Sequence, residues 1–217
     1  MGLPIDFYFD FSCPYAYLAS TQRRWLARES GSDVHLRPFL LGGVFAAIGQ
    51  AQNLAATLSP AKARHNRLDV IRWATWFGVP LAPPHHHPMR TVEALRCLLA
   101  APAEAREALT DACFAAYWVQ GRDLSDAKVL TDLLLGAGLD APAILTAAQS
   151  DAIKAELRER TEQALQVGVF GAPAFVVGDQ LFWGQDRLPM VVRAAQGWRP
   201  DPALADFHFV AEPKEPL

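Results

Sequence analysis

A chain of 217 residues that is 51% hydrophobic and 20% charged is typical of one large globular domain, or of a domain that carries an insertion. Its formal net charge of −3 provides no overall basic field for nucleic acid, and no apolar run reaches membrane-spanning length. The N-terminus lacks the pattern of a signal peptide, and the three cysteines form no close-spaced pair. We therefore expect a cytoplasmic protein without structural disulfides.

The first predicted elements are a strand, a helix and a second strand. Residues 5–11 alternate and are rich in aromatic side chains, which favours a strand. Residues 14–29 place apolar side chains at helical spacing, with Pro14 in the first turn, where a missing N–H is tolerated. Residues 34–40 alternate again, and Pro38 suggests an edge strand. This β-α-β order predicts parallel pairing of the two strands.

Cys13 lies where the first strand passes into the first helix, and Ser12 is predicted to cap that helix. Unpaired N–H groups and the positive end of the helix dipole favour an anion at this place. We therefore expect a lowered thiol pKa and a reactive Cys13. The alternative is that Cys13 is only a small packing residue, as isolated cysteines often are. Cys97 and Cys113 fall in helical apolar patterns and are expected to pack in the interior.

From residue 41 to about residue 165 the pattern predicts helices and no strand. Gly42 and Gly43 are expected to form a flexible turn at the start of this segment. Helix punctuation by proline and glycine predicts helices near residues 44–50, 60–78, 90–101, 103–120, 126–135, 141–148 and 150–167.

Residues 79–88 contain four prolines and must form an extended loop, because proline is not tolerated in a helix interior. The loop carries His85, His86 and His87, which raises the possibility of a metal site. Adjacent residues in an extended loop cannot easily converge on one ion, and no acidic residue or cysteine lies close by in the sequence. A solvated or substrate-facing loop is the preferred interpretation.

Strand character returns near the C-terminal end. A turn signature separates two predicted strands, and a helix follows them, at residues 170–177, 180–183 and 187–197. The tail from Trp198 is expected to be a loosely packed extension. The whole order predicts an α/β fold, with a thioredoxin-like domain of residues 1–41 and 166–217 and an all-helical domain inserted at residues 42–165.

Two motifs carry a family resemblance. The first, residues 8–18, is YFDFSCPYAYL, and the second is GVFGAPAFVV at residues 168–177 with FWGQDRL at residues 182–188. Together they resemble the signatures of 2-hydroxychromene-2-carboxylate isomerases and kappa-class glutathione transferases, in the DsbA-like thioredoxin superfamily. Their order and spacing cover essentially the whole chain. The resemblance therefore implies a DsbA-like thioredoxin fold.

The same resemblance implies a glutathione site. Pro173 is expected to be cis and to lie opposite the helix start, so that the backbone of Ala172 can pair with the cysteinyl part of glutathione. The turn that starts at Gly184 is expected to hold the γ-glutamyl end with its N–H groups and a side chain. The residues assigned to this ligand by resemblance are Cys13, Asn53, Lys62, Ala172, Pro173, Trp183, Gly184, Gln185 and Asp186. Those assigned to the substrate are Gly42, Gly43, His85, His86 and Arg90.

Ordinary structural roles remain open for several of these residues. Gln185 and Asp186 can serve only as a helix cap, Trp183 as a core aromatic residue, and Lys62 as a solvated charge. For Asn53 the two interpretations are evenly balanced.

The chain departs from the family pattern at Cys13. In the isomerases and kappa-class transferases this residue is usually a serine whose hydroxyl supports the glutathione thiolate. DsbA-like oxidoreductases have a second cysteine where this chain has Ala16, so an internal dithiol–disulfide cycle is excluded. Whether Cys13 or Ser12 serves the thiolate stays open at this point.

The leading hypothesis is a glutathione-dependent isomerase, or a closely related glutathione transferase, that acts on an aromatic or conjugated acid. The alternative is a monothiol oxidoreductase of DsbA-like type with Cys13 as its nucleophile. A third hypothesis is a binding or chaperone-like protein without turnover. Relatives of this fold are often dimers, and the sequence leaves a homodimer open.

Overall fold

The computed structural model describes residues 2–51 and 53–204. Within these ranges four strands form one mixed sheet: β1 (Ile5–Phe9), β2 (Val34–Pro38), β3 (Ala174–Val177) and β4 (Gln180–Trp183). The strand order is β2-β1-β3-β4, with β1 parallel to β2 and antiparallel to β3, and β3 antiparallel to β4. The predicted β-α-β unit and hairpin are both confirmed, and β2 is an edge strand, as its proline suggested.

Ten α-helices occupy the described residues. Their bounds are α1 (Pro14–Thr21), α2 (Arg23–Ser30), α3 (Leu41–Ala47), α4 (Pro60–Phe77), α5 (Val92–Ala100), α6 (Arg106–Trp118), α7 (Ala127–Gly136), α8 (Ala141–Ala147), α9 (Asp151–Gln166) and α10 (Leu188–Ala195). Short 3₁₀ turns lie at Leu54–Thr57, Ala103–Ala105, Gln185–Arg187 and Pro202–Leu204. Among the residues so described, none of the helices is both long and apolar enough to span a bilayer. The helices from α3 to α9 follow β2 without an intervening strand, as the pattern predicted, whereas the tail expected beyond Trp198 falls mostly outside the described residues.

The single helix predicted over residues 14–29 is wrong. The chain forms two helices that meet at Gln22, whose amide donates to the carbonyl of Ala19 and so breaks the regular helical ladder. The break lets Arg23 turn inward, where its Nη2 lies 2.8 Å from Oδ1 of Asp111 on α6. A long-range ion pair therefore decides a boundary that local periodicity does not show.

The flexible turn predicted at Gly42 and Gly43 is also wrong, because both residues lie in the first turn of α3. The amide of Gly43 donates to the carbonyl of Leu40, and a side chain added at Gly43 would place its Cβ 3.1 Å from Thr161 Cγ2. The lack of a side chain at position 43 thus serves close packing against α9.

The centre of the core is aromatic. Phe7 stacks on Phe175 of β3 with ring centroids 5.1 Å apart, and Phe9 and Phe11 both pack against Phe114 of α6. Because side chains alternate along a strand, the residues next to Phe7 and Phe9 in and just after β1 point away from this aromatic cluster. Asp10, one of them, follows β1 and is almost fully buried, so the chain enters α1 over a buried carboxyl group.

Candidate active site

Cys13 lies immediately before α1, and its side chain is 8% exposed. Its Sγ donates a hydrogen bond to the carbonyl oxygen of Ala172 at 3.0 Å. The Ala172–Pro173 peptide bond is cis, as the family resemblance predicted. The two sequence motifs, which lie about 160 residues apart, therefore meet at one sulfur–carbonyl contact.

The lowered pKa predicted for Cys13 is wrong. The pKa of the thiol is raised to about 12, mainly by burial and to a smaller extent by the charge of Asp10. The amides of Ala16 and Tyr15 act in the opposite direction, as the helix start predicts, but they do not outweigh burial. At neutral pH Cys13 is therefore a neutral hydrogen-bond donor, and it is a thiolate only in a minute fraction of molecules.

Ser12 is not the helix cap. The residue in the cap position is Cys13, which makes no capping side-chain bond. The backbone amide of Ser12 donates to Oδ1 of Asp10 at 2.9 Å, and the Ser12 hydroxyl donates to the same oxygen at 3.0 Å. The hydroxyl of Ser12 is thus committed to a buried carboxylate, which leaves Cys13 as the polar side chain beside Ala172.

Asp10 is a residue that sequence reasoning missed. It is 1% exposed, and besides Ser12 it accepts hydrogen bonds from the Thr91 hydroxyl at 2.7 Å and from the Leu41 amide at 2.9 Å. Its burial raises the pKa of its carboxyl group, and the hydrogen bonds from Ser12, Leu41 and Thr91 lower it in part. A signal was present in the sequence, since an acidic residue that ends an aromatic strand needs donors wherever it is buried.

The second motif forms a 3₁₀ turn before α10, which begins at Leu188, one residue after the start of the helix predicted over residues 187–197. The amide of Gly184 donates to the carbonyl of Pro173 at 2.9 Å, which fixes the turn to the cis-proline loop. Gln185 is 5% exposed, and its side-chain amide forms no hydrogen bond with any described residue. The turn packs against α1, and the half-exposed carboxylate of Asp186 lies 3.5 Å from Arg187.

Trp183 is not a core residue. It is 53% exposed, and its ring packs at 5.1 Å on Phe170, which is also exposed. A Cβ at Gly171 would lie 2.7 Å from Trp183 Nε1, so the indole lies directly against the backbone that precedes Ala172. An open aromatic surface thus borders the cis-proline loop.

Helix α4 reaches the start of α1 through Tyr15, another residue that the sequence did not identify. The Tyr15 hydroxyl donates to Oδ2 of Asp69 at 3.1 Å. The pKa of Tyr15 is raised, first by burial and then by the charge of Asp69. Lys62 and Asn53, the two residues assigned to glutathione from this side, are exposed, and their side chains make no hydrogen bond to a described residue. Their assignment stays a prediction.

The proline-rich loop is extended, as predicted. His85, His86 and His87 are all exposed at the surface. One face of His87, which was not chosen as a candidate, packs on Trp118, and its Nδ1 lies 2.9 Å from the Tyr117 hydroxyl. Burial lowers the pKa of His87. In the described ranges, no three histidine, cysteine or acidic side chains are grouped so as to hold a metal ion.

Arg90 follows this loop, and its side chain already pairs with an acidic residue of α5. Its guanidinium pairs with Glu93 at 2.9 Å, so the predicted contact with an acidic substrate competes with an existing ion pair. The role of Arg90 in substrate binding stays a prediction.

Comparison with known proteins gives a consistent picture. A family model described as a DSBA-like thioredoxin domain matches residues 4–196. A 2-hydroxychromene-2-carboxylate isomerase of Sphingobium xenophagum is 36% identical, with 87% of this chain and 95% of that protein covered. Glutathione S-transferase kappa 1 of Caenorhabditis elegans is 26% identical, with coverages of 91% and 93%. A solved structure of a 2-hydroxychromene-2-carboxylate isomerase superposes with a TM-score of 0.80 at 30% identity and covers 88% of this chain and 94% of its own.

Proposed function

The chain belongs to the family of DSBA-like thioredoxin domains, and its relatives include 2-hydroxychromene-2-carboxylate isomerases. From this premise we propose that it is a glutathione-dependent isomerase of that type. The observation that carries the proposal is the contact between Cys13 Sγ and the Ala172 carbonyl. It joins a helix start to a cis-proline loop, and it places a neutral donor where the family resemblance expects a hydroxyl. A closely related transferase activity would use the same site.

The residues of the site fit glutathione. Gln185 is 5% exposed, and its side-chain amide forms no hydrogen bond with a described residue. The amide is not among the fully buried unpaired atoms, so it is still accessible to a ligand that could pair with it. Asp186, beside it, offers a half-exposed carboxylate to an ammonium group. The Ala172 carbonyl is held by a thiol, which is a weak donor that an amide N–H can replace. These three groups suit the γ-glutamyl end and the peptide backbone of glutathione.

When bound, glutathione supplies a thiolate that adds transiently to a conjugated double bond, so that the bond can rotate before the thiolate leaves. The protein contributes position and electrostatics. The amides at the start of α1 and the neutral Cys13 thiol can donate toward a sulfur anion at this place. The walls around Cys13 exclude water, which strengthens each of these interactions.

The monothiol alternative finds less support. It requires Cys13 as a thiolate, but burial raises the pKa of this thiol to about 12. The other cysteines, Cys97 and Cys113, are buried in helices α5 and α6, and Ala16 stands where a resolving cysteine would lie. A neutral donor beside a bound thiolate agrees better with these properties than a nucleophilic cysteine does.

The test is an assay of 2-hydroxychromene-2-carboxylate isomerisation with and without added glutathione. We expect turnover that depends on glutathione and a glutathione affinity that falls in Gln185→Leu, because the substitution removes the amide from the buried position. Gln149→Leu, at an exposed glutamine after α8, is the matched control and should behave as wild type. Isomerisation that is independent of glutathione, or no isomerisation at all, would refute the proposal.

A further inference from the structure

Asp10 is the point where three parts of the chain meet beneath the sulfur site. Oδ1 accepts hydrogen bonds from the Ser12 amide, the Ser12 hydroxyl and the Thr91 hydroxyl, and Oδ2 accepts one from the Leu41 amide. Leu41 begins α3 and Thr91 immediately precedes α5, so two entries into the helical segment are bound to the same carboxylate. Four bonds thus reach one side chain that is 1% exposed.

The turn between Asp10 and Cys13 has few other attachments. The Cys13 amide donates to the Asp10 carbonyl at 3.2 Å, and Trp118 Nε1 donates to the Phe11 carbonyl at 2.8 Å. Ser12 is bound through Asp10 by both its amide and its hydroxyl. The position of Cys13 therefore depends on a carboxylate that does not itself touch the Ala172 carbonyl.

The carboxyl group of Asp10 has no cationic partner in the part of the chain that the structure describes. Within the described residues it forms no ion pair with Lys, Arg or His, and its four hydrogen bonds are its stabilising contacts. Burying a carboxylate without a cation costs free energy of folding. If Asp10 served packing alone, its replacement by an uncharged residue of similar size would be tolerated. Asp10 lies beside the Ser12–Cys13 turn, which indicates a role in the sulfur site.

We propose that Asp10 is the positioning residue of the sulfur site, and that its carboxylate holds the Ser12–Cys13 turn against the starts of α3 and α5. The sulfur-binding groups are then fixed to both parts of the fold. A change at α3 or α5 is transmitted to Cys13 through one side chain. This inference rests on the proposed function for its kinetic consequence, but its effect on Cys13 can be measured without glutathione.

The kinetic test uses Asp10→Asn and Thr91→Val. Asparagine presents an NH₂ group where Oδ2 accepted from Leu41, so that bond is lost, and valine removes only the bond from α5. We expect kcat of the glutathione-dependent reaction to fall about 100-fold in Asp10→Asn, because a displacement of about 1 Å at a reacting centre has that effect. The KM for glutathione should change little, since the second motif remains intact, and Thr91→Val should show a smaller fall in kcat with the same KM.

The second readout is thiol–disulfide exchange of Cys13 with 2-hydroxyethyl disulfide at pH 8, followed by peptide mass. Asp10→Asn should react about threefold faster than wild type. Loss of the nearby negative charge, taken as about one pKa unit, gives about tenfold more thiolate at pH 8, and the lower nucleophilicity of that thiolate removes a factor of about three. The other titratable groups of this region remain in all variants: Tyr15 with Asp69 and Asp186 around it, and Tyr117, which feels the charge of Asp10. Thr91→Val keeps the charge and should lie between Asp10→Asn and wild type.

Asp126→Asn is the matched control, since Asp126 caps α7 on the surface, and it should equal wild type in both readouts. Wild-type kcat and wild-type exchange in Asp10→Asn would overturn the proposal. So would a loss confined to KM. If Asp10→Asn does not fold, Thr91→Val decides, and wild-type behaviour of that variant would overturn the proposal. If wild type binds no glutathione, the proposed function fails while the exchange rates still test Asp10.

Discussion

The Cys13 thiol should exchange slowly with small disulfides, and the structure sets the size of the effect. Burial raises its pKa from 9.0 to about 12. At pH 8 about one molecule in ten would be thiolate at the ordinary value and about one in 10⁴ at the raised value, a difference of about 10³-fold. A thiolate of higher pKa is also more nucleophilic, which over three units returns a factor of about 25. We therefore expect exchange about 40-fold slower than for an ordinary cysteine.

The assay compares Cys13 in the folded protein with the same cysteine in the urea-unfolded chain, using 2-hydroxyethyl disulfide and peptide mass from pH 7 to pH 10. In the unfolded chain the rate should level off above pH 9, whereas in the folded protein it should still rise at pH 10. Equal rates at pH 8, or a folded-state plateau at or below pH 9, would show that burial does not control this thiol. The monothiol hypothesis would then regain its main support.

Three further predictions concern stability, each read from urea unfolding. Phe114→Ala should lower the free energy of unfolding by about 3–5 kcal/mol, because Phe114 is 1% exposed and its ring packs on three aromatic residues of the first motif. Trp118→Phe should cost about 1–3 kcal/mol, because the buried Phe11 carbonyl loses its indole donor. Stability should fall as pH rises above 9, because the pKa values of Cys13 and Cys97 are raised to about 12 and about 11. The folded state therefore binds protons that the unfolded state has already released.

For each stability prediction, a specific result would contradict it. A loss below 1 kcal/mol in Phe114→Ala would mean that the aromatic cluster is not central to the core. Wild-type stability in Trp118→Phe would show that the Phe11 carbonyl finds another partner. For the pH dependence, Cys97→Ala should flatten the decline between pH 9 and pH 11, and an unchanged slope would assign the decline to other groups.

The architecture was accessible from the sequence because it follows from local patterns. Alternation predicted the first two strands, a turn signature predicted the C-terminal hairpin, and proline and glycine positions predicted most helix boundaries. The two motifs placed Pro173 opposite Cys13. The exceptions depended on distant contacts. The break between α1 and α2 lets Arg23 pair with Asp111, and Gly43 packs against α9. Residues nearby in the sequence indicate neither contact.

The candidate site was less accessible for the same reason. The thiol pKa of Cys13 depends on how deeply the folded chain buries it, and helix-start arguments alone gave the wrong direction. The commitment of Ser12 to Asp10, and the contact of Tyr15 with Asp69, join side chains whose partners could not be paired from a single sequence. Family resemblance located the region of the site, and packing determined the state of the groups within it.

The central claim is that this protein binds glutathione reversibly beside a neutral Cys13. The most direct measurement is calorimetric titration of reduced glutathione into wild type and Cys13→Ser, with the intact mass of each protein recorded before and after. The account predicts binding to both proteins without added mass, because either a thiol or a hydroxyl can donate at this position. A glutathione adduct confined to wild type would contradict it and make Cys13 the nucleophile.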